Sequence, residues 1–118
     1  MITLIGYPPC STCKAVAKQL KQMDIDYVYR DITEDVPSKD ELLEIFQKSG
    51  HTSVKKLLNT SGVLYREGNY KDKLANLSIE EIFEEVSKDG MLIKRPILVT
   101  ESKAYIGKDI QMFMDLYV

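Results

Sequence analysis

In the segment GYPPCSTCKAV, Gly6 to Val16, two cysteines stand three positions apart directly after two prolines, and the chain has no others. A close cysteine pair can exchange electrons, clamp a metal, staple the fold or fill a core. Residues three apart in the first turn of a helix share a face, with Cβ atoms about 5–6 Å apart, so Cys10 and Cys13 can reach one another for a disulfide. That bond would close a ring of four residues. It would remove little chain entropy, well below the ~3 kcal/mol of a loop of about 15 residues, which makes it a poor staple and a suitable switch. A thiolate at a helix N-terminus is stabilised by unpaired backbone N–H groups and the positive end of the helix dipole. Cys10 is accordingly assigned as the nucleophile, and Cys13, inside the helix, as the cysteine that resolves the mixed disulfide or sulfenic acid formed on Cys10.

The competing chemistries are weaker. A structural zinc ion takes about four protein ligands. The pair and the single histidine, His51, fall short of that without carboxylates or a second subunit. No metal or cofactor is assigned, and His51 is read as a surface residue near a helix start. Core packing is the plain alternative for two free cysteines. The flanking prolines and the strand–turn–helix context favour exchange chemistry.

The elements that must hold the pair follow from periodicity. Ile2-Thr3-Leu4-Ile5 is short, β-branched and apolar, and stops at Gly6, which predicts a buried strand. From Thr12 the apolar residues Val16, Leu20 and Met23 recur at spacings of three and four, predicting an amphipathic helix that ends near Asp24. IDYVYRDI alternates and predicts a second strand, parallel to the first through a right-handed crossover. In KDELLEIFQKSG, Ser38 and Glu41 have capping-box spacing and Gly50 is a helix stop; Ser78 and Glu81 repeat that spacing before a second helix. SVKKLLNTSG suggests a short helix closed near Gly62. RPILVT and KAYIG are two strands of a hairpin around Glu101-Ser102, and KDIQMFMDLYV is a closing helix.

Composition narrows the function classes. The 118 residues suit one domain with its own core. A net charge of −2, from 16 basic and 18 acidic residues, offers no basic field for a phosphate backbone, so direct nucleic-acid binding is not expected. No apolar run approaches the ~18 residues of a membrane span and the N-terminus has no basic, signal-like start, so no membrane association is expected and the protein is expected to be cytoplasmic. In a reducing cytosol a close cysteine pair is more often catalytic, redox-sensing or metal-binding than structural.

With YPPCSTCKAV after the first strand and LIKRPILV near the C-terminus, essentially the whole chain resembles the arsenate reductase (ArsC)/Spx family. The resemblance implies an α/β, thioredoxin-like fold with a helical insertion between the second and third strands. It implies a single domain over 1–118, with a core of about 1–34 and 94–118 and an insertion of about 35–93. Pro96 matches the proline beside the active-site cysteine, which usually has a cis peptide bond. Arg95 matches one of several arginines with which arsenate reductases steady the oxyanion attacked by the residue equivalent to Cys10. The other positions depart: Asn59, Thr60 and Ser61 stand where the middle arginine is expected and Lys108 replaces the third. Only Arg30, Arg66 and Arg95 occur in the chain. The resemblance thus implies an anion site of Arg95, Lys108 and Asn59 to Ser61, and a thiol reductant as partner: glutaredoxin, thioredoxin or a low-molecular-weight thiol.

The second cysteine brings CSTCKA closer to Spx and its relatives, whose CxxC is a disulfide switch. Spx-type proteins bind the C-terminal domain of the RNA polymerase α subunit through a glycine of the inserted region, and Gly50 is the nearest match. Two functions are therefore expected: a thiol-dependent oxidoreductase, arsenate reductase-like, and, as the alternative, a redox-sensing transcriptional regulator that docks on RNA polymerase.

Overall fold

The computed structural model describes residues 1–117. Strands β1 (Ile2–Gly6), β2 (Tyr27–Asp31), β3 (Ile97–Val99) and β4 (Ala104–Ile106) form one mixed sheet in the order β2-β1-β3-β4. β1 runs parallel to β2, from Ile2 opposite Tyr27 to Gly6 opposite Asp31. Parallel neighbours need a crossover, and helix α1 (Ser11–Gln22) supplies it. α1 stops where Asp24 turns left-handed (φ 57°) and the Ile25 N–H reaches back to the Leu20 carbonyl at 3.0 Å. β3 pairs antiparallel with both β1 and β4.

Alternation along the strands builds two cores. Leu4 and Leu98, opposite one another, face Leu20 of α1 and Ile110, Phe113 and Met114 of helix α6 (Ile110–Asp115). Ile5 and Ile97, the next pair in register, face the other way, onto Leu42, Ile45, Ile82 and Phe83. A shift of one residue would exchange these faces, so the hydrophobic pattern sets the register. The second core belongs to helices that lie between β2 and β3: α2 (Lys39–Ser49), α3 (Val63–Glu67), α4 (Tyr70–Asn76) and α5 (Ile79–Val86).

Both capping boxes form. The Glu41 N–H donates to Ser38 Oγ and the Ser38 N–H to Glu41 Oε1, and Ser78 and Glu81 repeat the exchange. Gly50 closes α2 at φ 75°. SVKKLLNTSG is not the expected helix. Val54–Leu57 make one 3₁₀ turn, Leu58 then pairs with Ile93 as an isolated bridge, and Gly62 is the N-cap of α3 rather than a stop. Tertiary pairing explains the difference: Leu57 and Leu58 are both buried in the same core, and the Leu57 carbonyl and Asn59 N–H bond across to the Lys94 N–H and the Leu92 carbonyl at 2.9 Å, which takes them out of a helical ladder. At the C-terminus a 3₁₀ turn, Gly107–Asp109, precedes α6. The expected end of that helix at Val118 lies outside the described residues.

Candidate active site

Tyr7 to Cys10 form a tight turn in which the Cys10 N–H donates to the Tyr7 carbonyl at 2.9 Å, and Pro8 presets the backbone at its second position. The turn delivers Cys10 to the N-cap of α1, where its carbonyl accepts the first helical hydrogen bond from the Lys14 N–H at 3.0 Å. Cys10 is half-buried and Cys13, one turn in, is fully buried; both are free thiols.

The two thiols are pushed in opposite directions. For Cys10, partial burial is the largest influence and opposes ionisation. It is outweighed by the backbone N–H and thiol of Cys13, the backbone N–H of Thr12 and the positive charge of Arg95, which together hold Cys10 below the ordinary thiol range. For Cys13, burial dominates and, with the hydrogen bond to Cys10 and the charge there, raises its pKa to about 11. Only the Tyr7 N–H, 3.4 Å from Cys13 Sγ, and Arg95 favour its thiolate. A half-buried thiol that ionises early beside a buried one that keeps its proton can perform directional exchange.

Arg95 lies over the Tyr7 ring, 5.3 Å from its centroid, and its Nη1 donates to the Ile93 carbonyl at 3.3 Å. Its Nε is buried without a partner. The following peptide bond, Arg95–Pro96, is cis. A residue that sequence reasoning passed over also reaches this place. A Cβ on Gly6 would stand 2.7 Å from the Tyr29 hydroxyl and 3.3 Å from Cys13 Cβ. Burial first, then the charges of Cys13, Asp31 and Cys10, push Tyr29 up to about 12. The available signal was Gly6 itself, because glycine at a strand end marks a close approach.

Cys10, Cys13 and Arg95 thus come together, with Pro96 next to Arg95 in the chain, and the other anion-site candidates have these surroundings. The Asn59 amide donates to the Met91 carbonyl at 3.3 Å and its Oδ1 accepts from Ser61 Oγ at 3.4 Å, so both residues brace their own loop. Thr60 and Lys108 line an open cavity of about 720 Å³ whose walls include His51 and Asp109 but neither cysteine. His51 is not a plain surface residue: it is half-buried, with Nε2 2.6 Å from Asp109 Oδ2. Fifty-eight residues separate the two, and the fold alone joins them. Gly50 is exposed, with no atom within 4 Å of where a Cβ would stand. Among the described residues no helix is long and apolar enough to cross a membrane.

The model of the ArsC family matches residues 5–113. The chain belongs to the ArsC family. YusI of Bacillus subtilis strain 168, an uncharacterized protein, is 42% identical over 106 residues, which cover 90% of this chain and 89% of YusI. The solved structure of an arsenate reductase from Vibrio cholerae superposes with a TM-score of 0.88 at 25% identity, covering 97% of this chain and 95% of that one. The global transcriptional regulator Spx of Listeria innocua is 28% identical over 91% of this chain and 79% of its own length. The fold is the thioredoxin-like fold of ArsC-family proteins, with the helices α2 to α5 inserted between the second and third strands. Membership in the ArsC family, with an arsenate reductase among its structural neighbours, supports a thiol redox protein.

Proposed function

We propose that this protein is a thiol–disulfide oxidoreductase in which Cys10 is the nucleophile, Cys13 the resolving cysteine and Arg95 the receptor for an anionic group on the substrate. The observation that carries it is the half-buried Cys10 thiol capping α1, with the buried Cys13 thiol one turn behind it and the unpartnered Nε of Arg95 at the same site. Cys10 thiolate attacks one sulfur of an oxidised substrate, forming a mixed disulfide and expelling the other sulfur as a thiolate. Cys13 loses its proton to that leaving group and attacks Cys10 Sγ. The substrate leaves reduced by two electrons and the Cys10–Cys13 disulfide remains, to be reduced by thioredoxin, glutaredoxin or a small thiol.

Arsenate is a poor candidate substrate. Of the chain's other arginines, Arg30 is already committed to Glu41 and Asp35, and Arg66 is exposed on α3, so one guanidinium is left beside Cys10. The test is turnover of a glutathione mixed disulfide and of arsenate, each with thioredoxin or glutaredoxin supplied. Reduction of the disulfide that disappears in Cys10→Ser supports the proposal; a wild-type rate no higher than that of Cys10→Ser overturns it.

A second reading, a redox-gated regulator docking on the RNA polymerase α subunit, is favoured by the likeness to Spx and by the exposure of Gly50. Capture of the α C-terminal domain by wild type but not by Gly50→Arg would support it.

A further inference from the structure

The cavity that contains Thr60 and Lys108 has a chemistry the redox pair does not use. Five lysines converge on it from separate parts of the chain: Lys55 and Lys56 from the 3₁₀ turn, Lys71 from α4, Lys94 before β3 and Lys108 after β4. None of the five forms an ion pair among the described residues, while Lys48 and Lys73 elsewhere do. The one acidic wall residue, Asp109, is engaged by His51 at 2.6 Å. A chain of net charge −2 therefore gathers unneutralised positive charge in one concavity, where like charges repel and the field is focused.

The placement is held by backbone. The Lys94 N–H donates to the Leu57 carbonyl and the Asn59 N–H to the Leu92 carbonyl, both at 2.9 Å, on either side of the Leu58–Ile93 bridge. The Lys94 stem lies across Gly107, where a Cβ would stand 3.2 Å from Lys94 Cε. Beside the hydroxyls of Ser53 and Thr60, the wall carries an apolar and aromatic part: Leu58, Ile106 and Tyr65, the last stacked on Tyr70 at 6.0 Å between centroids.

We infer that this cavity binds a small phosphorylated ligand carrying several negative charges and an apolar or aromatic body, in the size class of a nucleotide. Its volume of about 720 Å³ falls within the ~300–1,000 Å³ of small-molecule sites. A concavity of that size, on a protein without excess positive charge, suits a compact polyanion better than an extended nucleic acid, which needs a basic track along the surface. The lysines would take the phosphates as point charges, and Tyr65 with Leu58 and Ile106 would take the body. No wall residue is a cysteine, and the test reads ligand binding and not thiol chemistry, so it succeeds or fails apart from the redox proposal.

Calorimetric titration at about 50 mM salt, with ATP and inorganic triphosphate as probes, tests it. Saturable one-to-one binding is expected, several-fold tighter for ATP, with the melting temperature raised by saturating ATP. Lys55→Ala/Lys94→Ala should weaken ATP at least tenfold and Lys71→Ala, on an exposed helix face, severalfold. Lys18→Ala on α1 and Cys10→Ser should bind as wild type does. Absence of saturable binding by both probes, an equal loss in Lys18→Ala, or tighter binding of a polyglutamate peptide or an oligonucleotide than of ATP would overturn the inference. Equal affinity for triphosphate and ATP would overturn the role of the apolar wall.

Discussion

Arg30 on β2 grips Glu41 of α2 with both ends of its guanidinium, Nη1 to Oε2 and Nη2 to Oε1 at 3.1 Å, so the capping residue of α2 is also the anchor that ties this helix to the sheet edge. The hydrogen bond from Arg30 is the main influence on the Glu41 carboxyl. Burial opposes it and the Ser38 N–H adds to it, and the pKa falls from 4.5 to about 2. Because the folded value lies below the ordinary one, this contribution is complete above pH 4.5 and is lost as pH falls towards 2. Stability should decline across that window, and Glu41→Gln should flatten the decline. At neutral pH the substitution should cost about 1 kcal/mol or less, because the Glu41 side chain is 45% exposed. Urea melts at a series of pH values give both quantities, and an unchanged acid limb would show that the pair does not set it.

Cys10 should be alkylated by iodoacetamide first and much faster than Cys13 at neutral pH, because Cys10 is partly exposed with a lowered pKa and Cys13 is buried with a raised one. Arg95→Met removes the positive charge that favours the Cys10 thiolate, so the pH profile of its alkylation should move to higher pH. Mass spectrometry of digests over a pH series reports both sites, and preferential labelling of Cys13 would contradict the assignment.

Mild oxidation should give an intramolecular Cys10–Cys13 disulfide that a reductant fully restores. Since the ring spans four residues, global stability should change by less than about 1 kcal/mol. Cys13→Ser should accumulate mixed disulfides or sulfenic acid on Cys10, because nothing remains to resolve them. Two free thiols, or bridges only between chains, in the mass of the oxidised digest would defeat the switch.

Two glycines should respond differently to alanine. At Gly90, buried at the start of the 3₁₀ turn Gly90–Leu92, a Cβ would overlap the Ile32 carbonyl oxygen, and backbone on both sides must move. Gly90→Ala should cost roughly 3 kcal/mol, the upper end of overpacking. At Gly50 there is open space but φ is 75°, so Gly50→Ala should cost about 1–2 kcal/mol from the left-handed conformation alone. Thermal melts of the two variants separate steric from conformational cost; equal losses would mean that the Ile32 segment yields freely.

The elements that carry their own local signals were legible in the chain as written. Two serine caps with glutamates three residues on set where α2 and α5 begin, the apolar spacing of Val16, Leu20 and Met23 set α1, and the cysteine spacing placed two thiols on one turn. These depend on neighbours within about one helical turn, and local chemistry decides them. Tertiary structure decided what lies between. α3 and α4 span five and seven residues, too short to be stable alone, and they hold because Tyr70 is buried and Tyr65 and Leu74 pack on the core. It also decided that Arg95 would meet a cysteine 85 positions earlier, that His51 would face Asp109, and that Thr60 and Lys108 would share a cavity wall with four other lysines. Chain separation carries no record of such meetings, because they follow from the path of the backbone across the sheet, which the whole core selects at once.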